Sequence, residues 1–163
     1  MDTKTRQHIE EIFLQVSRAA IRKKLYGLRA EQDGDIQLAR LFRAIAVSEE
    51  AQARRLLLQL RGRTGKNAEN CQTAFAEEIP DLISRYEQAA ETAESGGEKA
   101  MHFAFSQSAR VQRKHLSLKK KLEKNRDMES TYHVCGFCGF VMEGNAPDNC
   151  PICSAPASRF QKV

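Results

Sequence analysis

Two short cysteine motifs near the end of the chain constrain its fold more than any other feature. Cys135 and Cys138 form one C-x-x-C pair, and Cys150 and Cys153 form a second after eleven intervening residues. A C-x-x-C turn presents two thiolates to one ion from the same side, and two such turns facing each other complete a tetrahedron. Four thiolates in that geometry select iron or zinc over calcium or magnesium, which prefer oxygen. Two disulfides, or four unrelated cysteines, fit the matched spacing less well. A segment of about 30 residues buries too little surface to fold alone, so a metal is expected to hold it together.

The rest of the 163-residue chain leaves room for a helical domain of about 120 residues. Up to Arg126 the only proline is Pro80 and the first glycine is Gly27. The first helix is expected from about Thr5 to Gln32, with Ile9, Phe13, Val16 and Ala20 on one stripe. Asp33-Gly34-Asp35 reads as a turn, with Asp35 capping a second helix over Ile36 to Arg61. Its inward stripe runs Leu38, Phe42, Ile45, Glu49, Gln52, Leu56. Gly62 to Asn70 reads as a longer polar connector. A third helix is expected to start between Thr73 and Pro80 and to run to Glu94, with Leu82, Tyr86, Ala89 and Ala93 inward. Ser95-Gly96-Gly97 is a turn. The fourth helix spans about Glu98 to Asn125, with Met101, Phe105, Ser108, Gln112, His115 and Leu122 on one face.

Two helix pairs joined by a longer connector predict an all-α four-helix bundle of the ferritin-like kind with one crossover. The expected domains are a bundle over residues 1–126, a linker over 127–131 and a small metal-binding domain over 132–163. The halves of the bundle resemble each other. Setting Gly34 over Gly97 puts Glu49 over Gln112 and Gln52 over His115, so each half carries a polar i, i+3 pair on its second helix. Polar groups on an inward stripe must be hydrogen-bonded or must hold something.

The net charge is +5. Charges of both signs are interspersed except in a basic stretch from Arg110 to Arg126, which reads as a solvated helix end. Without aromatic–basic alternation, nucleic-acid binding is not expected. No apolar run approaches ~18 residues and the N-terminus lacks a signal-type apolar core, so neither a membrane span nor secretion is expected. Five cysteines, four of them grouped as ligands, suit a reducing cytoplasm. Cys71 is left over and is assigned no role.

The run Tyr132 to Phe140 with Cys135-x-x-Cys138-Gly139-Phe140, followed by Cys150-Pro151-x-Cys153 and Phe160, resembles the rubredoxin-type domain at the C-terminus of rubrerythrins. The segment Gly34 to Leu60, with Phe42 to Glu49, is similar to the rubrerythrin bundle. The resemblance implies one iron held by four cysteines and passing single electrons, with a small core from Tyr132, Phe137, Phe140 and Phe160. Gly139 would let a backbone N–H approach a cysteine sulfur, and such bonds tune the potential. Ser154 departs from the family by standing where glycine is common.

The family's bundle holds a di-iron centre that reduces hydrogen peroxide, built from one Glu on each of two helices and a Glu-x-x-His pair on each of the other two. Carrying those ligands over gives Val16 for the first Glu, Glu49 and Gln52 for the first pair, Glu78 (or Glu77) with Asp81 on the third helix, and Gln112 with His115 for the second pair. Only Glu49, Glu78, Asp81 and His115 keep the ligand type. Valine cannot bind a metal and a neutral amide is a weak ligand for iron, so a degraded site is expected, with Gln52, Gln112 and His115 forming a polar network. The expected function is one-electron transfer through a four-cysteine iron centre linked to peroxide defence. A homodimer and a redox protein partner go with it. An active di-iron peroxidase and a structural zinc ribbon are the alternatives.

Overall fold

The computed structural model describes residues 1–61, 64–125 and 130–163. The start of the expected connector (Gly62, Arg63), the end of the expected bundle domain (Arg126) and the first three linker positions (127–129) lie outside the described residues. The chain divides into two compact units, Met1–Gly65 and Lys66–Val163.

The first unit is a helical hairpin of α1 (Thr3–Gln32) and α2 (Ile36–Arg61). Asp2 caps α1 by accepting from the Thr5 N–H at 3.0 Å, and Asp35 caps α2 through the Leu38 N–H at 3.0 Å, as expected. The turn between them needs Gly34 at φ 83°. There the Asp35 N–H returns to the Ala30 carbonyl at 2.9 Å and closes the last turn of α1.

The second unit begins with α3 (Asn67–Cys71), a π-helical stretch over Gln72–Glu78, and α4 (Ile79–Ser95). The third helix therefore starts at Asn67, earlier than the sequence suggested, and the polar connector is correspondingly shorter. The π turn lies just before Pro80. Proline has no N–H to give, and the Ile79 N–H reaches back to the Ala74 carbonyl, one residue further than an α-helix would. The turn at Gly97 (φ 74°) leads into α5 (Lys99–Lys124), with the Glu98 N–H on the Ala93 carbonyl at 2.8 Å.

The two hairpins repeat each other closely. With Gly34 over Gly97, buried Gly27, Ala30 and Ala46 fall on buried Ala90, Ala93 and Ala109. The interhelical ion pair Lys24–Glu50 falls on Glu87–Arg113 with its charges reversed. Within each hairpin the buried seam is this stripe of small residues. The larger apolar side chains flank it, with Leu38, Leu82, Met101 and Leu122 exposed within their units. Small side chains permit the short interaxial distance that a closely packed antiparallel pair requires.

The small domain is a three-stranded antiparallel sheet in the order β2-β1-β3, from β1 (Tyr132–Cys135), β2 (Val141–Glu143) and β3 (Phe160–Lys162). Val134 pairs with Val141 and Gln161, so β1 is the central strand. The core gathers Cys135, Phe140 and Cys150 with Val111 of α5, flanked by Met142, Ile152 and Phe160. Phe137 departs from the aromatic core expected from the resemblance: it is 76 % exposed. It lies between two cysteines that turn inward, so its own side chain is thrown to the outside of the turn. The fold class is the expected one: helices throughout, followed by a small strand-built domain carrying four cysteines. Among the described residues no helix is long and apolar enough to cross a membrane.

Candidate metal centre

Each C-x-x-C turn is built by the same two backbone hydrogen bonds. In the first, the Cys135 N–H donates to the Phe140 carbonyl at 2.8 Å and the Gly139 N–H to the Cys135 carbonyl at 2.9 Å. In the second, the Cys150 N–H donates to the Ala155 carbonyl and the Ser154 N–H to the Cys150 carbonyl, both at 2.8 Å. This closure needs a left-handed residue just after the second cysteine. Gly139 supplies it at φ 79° and Ser154 at φ 62°. Ser154 is the only described non-glycine residue with positive φ, which gives the departure noted in the sequence a physical meaning.

The two turns face each other. Cys135 Sγ lies 3.7 Å from Cys153 Sγ, and Cys138 Sγ lies 3.6 Å from Cys150 Sγ. All four sulfurs fall within 4.8 Å of one another. A metal–sulfur bond of about 2.3 Å in a tetrahedron implies sulfur–sulfur edges of about 3.8 Å, so the donor set fits one tetrahedral ion. All four are free thiols, with Cys135 and Cys150 buried.

Backbone N–H groups are aimed at the sulfurs. Burial pushes the Cys135 thiol up, but the N–H groups of Cys138 and Phe137, with the Cys153 thiol, outweigh it and bring it below the ordinary thiol value. Burial pushes Cys138 well up, although the Phe140 N–H points at its sulfur. Burial likewise raises Cys153 against the pull of the Ala155 N–H. Cys138 and Cys153 are thus hard to charge when the site is empty, yet backbone donors aimed at the sulfurs stabilise thiolates once a cation is present. His133 is not part of it: its Nδ1 bonds to the Gly144 carbonyl at 2.6 Å and braces the β1–β2 hairpin.

The residues proposed for the bundle are placed differently. In the first unit, the Lys23 ammonium donates to Glu49 Oε1 at 2.6 Å, and both side chains are largely covered. Glu49 Oε2 is buried without a partner among the described residues. Val16 is half-buried and Gln52 exposed. In the second unit, Glu78 ends the π-helical stretch and is exposed, and exposed Asp81 pairs with Arg85 at 2.6 Å. His115 Nδ1 bonds to Gln112 Oε1 at 3.2 Å. Burial lowers the His115 pKa, which keeps the ring neutral near pH 7. His115 lines an open cleft of about 430 Å³ with Phe75, Ile79, Leu118, Lys119, Leu122, Tyr132 and Val141, and among the described residues of this unit no carboxylate lines it. Glu78, Asp81 and His115 do not gather their ligand atoms into one cluster. Sequence reasoning missed Lys23, whose signal is its place opposite Glu49 on the antiparallel partner helix.

A family model for the rubrerythrin rubredoxin-like domain matches residues 133–161. Rubrerythrin of Porphyromonas gingivalis is 30% identical over an alignment covering 99% of this chain and 90% of that protein. Rubrerythrin-1 of Clostridium acetobutylicum is 27% identical, covering 98% of this chain and 94% of its own. Among solved structures, nigerythrin in a mixed-valence state superposes with a TM-score of 0.52 at 20% identity, covering 98% of this chain and 86% of that one. The four-cysteine turns, the helical hairpins ahead of them and a similarity running along nearly the whole chain together mean that this protein belongs to the rubrerythrin family.

Proposed function

We propose that this chain carries single electrons through one iron ion held by Cys135, Cys138, Cys150 and Cys153, in a protein whose bundle has lost its di-iron centre. The observation that supports the reading best is the pair of matched turns, which set four sulfurs at tetrahedral spacing with N–H groups aimed at them. The ion would supply a one-electron couple at fixed geometry. The chain's own contributions are the rigid turns, which hold the sulfurs in place through a change of charge, the N–H donors, which offset thiolate charge, and the buried sides of Cys135 and Cys150, which keep water out. Cys138 lies next to exposed Phe137, an open edge for a redox protein partner.

The arrangement around Glu49 and His115 supports loss of the di-iron centre. The Glu49 carboxylate already has its charge balanced by Lys23, and a metal ion at its remaining oxygen would sit beside an ammonium. Within its own unit the His115 cleft offers a neutral imidazole and, among the described residues, no carboxylate, whereas iron of this kind needs several anionic oxygens. We place the protein in the cytoplasm as a homodimer, in peroxide defence alongside its relatives. The nigerythrin described as all-ferrous in its fully reduced state is consistent with iron chemistry in this fold.

The test is the visible spectrum of the purified protein and of Cys138→Ser. An oxidised iron–thiolate protein is red, bleaches on one-electron reduction and recovers in air. Cys138→Ser should lose the colour and the small domain's structure while the helical signal stays. Colour retained in that variant contradicts the ligand set, and a colourless parent carrying zinc contradicts the redox reading.

A further inference from the structure

One face of α5 is given over to the small domain. Gln107 Nε2 donates to the Ile152 carbonyl at 3.2 Å and Arg110 Nη2 to the Pro151 carbonyl at 3.4 Å. Val111, 5 % exposed, packs in one cluster with Cys135, Phe140 and Cys150. Lys114 Nζ stands 5.8 Å from the Phe140 ring centroid. Lys121 pairs with Glu143 at 2.6 Å. These positions recur at the i, i+3, i+4, i+7 spacing of one helix face. Pro151 and Ile152 are the two residues between Cys150 and Cys153, so α5 holds the second turn by two of its backbone carbonyls.

The charges on this face are unbalanced. Glu143 is the acidic group of the sheet that meets α5: it pairs with Lys121, accepts from the Ser130 hydroxyl at 2.7 Å and lies within electrostatic reach of Lys114. Lys114 also stands over the Phe140 ring, and Arg110 meets a neutral carbonyl. Three cations on this face thus meet one carboxylate of the sheet, and net positive charge remains next to the turn and ring that enclose the sulfurs. Iron(III) with four thiolates is a monoanion and iron(II) with four a dianion, so a nearby cation favours the reduced form. We propose that Arg110 and Lys114 are potential-tuning residues of the four-cysteine centre, held in position by Gln107 and Val111, and that they raise its reduction potential. The inference rests on iron occupancy for its redox form. In a zinc-loaded protein the same cations would instead strengthen metal retention, because that centre is a dianion.

The test is a redox titration of the full chain, comparing wild type with Arg110→Met/Lys114→Met, which keeps the apolar stems. At a fixed poise the ratio of reduced to oxidised centre should fall about tenfold, equivalent to about 59 mV for a one-electron couple. Arg110→Lys and Lys114→Arg, which keep the charges, should leave the ratio near that of the wild type. Lys120→Met, on the same helix but off this face, should shift the ratio far less. An unchanged potential in the double variant, or an equal shift in Lys120→Met, would overturn the proposal. If the protein proves colourless with no one-electron wave, the iron reading fails separately. Zinc release to a chromophoric chelator then decides: the double variant should lose zinc about tenfold faster, and equal rates would overturn the proposal.

Discussion

Ser154 carries the clearest strain in the small domain. A side chain at φ 62° costs about 1–2 kcal/mol relative to a right-handed conformation, and the matched position in the first turn is Gly139 at φ 79°. Ser154→Gly should therefore stabilise the metal-loaded domain by about 1 kcal/mol, read as slower metal loss to a chelator. Gly139→Ala should act in the opposite sense, and for a purely conformational reason, since its added methyl would meet nothing within 4 Å. Equal rates in both variants would mean that turn geometry does not limit metal retention. The cysteine spacing and the departure at Ser154 were readable in the sequence because such turns have a fixed local chemistry. Phe137 was not: aromatic character suggests burial, while its outward direction is set by the inward turn of its neighbours Cys135 and Cys138.

At the scale of elements, the alanine seams decide how closely each hairpin packs. Ala46 is 0 % exposed, so Ala46→Leu should force α1 and α2 apart and destabilise that hairpin by about 1–3 kcal/mol, seen as an earlier thermal transition. Helix periodicity gave α1, α2 and α5 to within a residue or two. It could not reveal that the small residues beside the large apolar stripe form the closest contact, because periodicity reports a face and not a distance. The π turn before Pro80 was equally hidden, since nothing in composition distinguishes it from an α-helix start. On α5, His115 bonds to Gln112, whereas Gln52, expected in the same network, is exposed in the first unit. Burial depresses the His115 pKa from 6.5, so the unfolded chain takes up a proton first as pH falls. Its contribution to stability is present above about pH 6.5 and is lost as the pH drops through the folded value. His115→Gln should flatten the dependence of melting temperature on pH between about 5 and 7. An unchanged pH profile would remove His115 as its cause.

For the molecule as a whole, the two regions that the resemblance links to iron differ. The cysteine centre has its donors gathered at metal-binding spacing. The second unit keeps a neutral histidine in an apolar cleft, and the first keeps a glutamate tied to Lys23. Family resemblance pointed to both, and the substitutions at Val16, Gln52 and Gln112 already marked the second as altered. The Lys23–Glu49 ion pair depends on two residues that only the antiparallel hairpin brings together. The basic stretch after Arg110 reads as solvated in sequence, yet Arg110, Lys114 and Lys121 face the small domain, a pairing set by tertiary structure alone. An electron carrier with one metal centre holds one iron per chain, and elemental analysis of aerobically purified protein should find that number. Three would mean that the bundle still holds a di-iron centre and that peroxide reduction, not electron carriage, is the leading function.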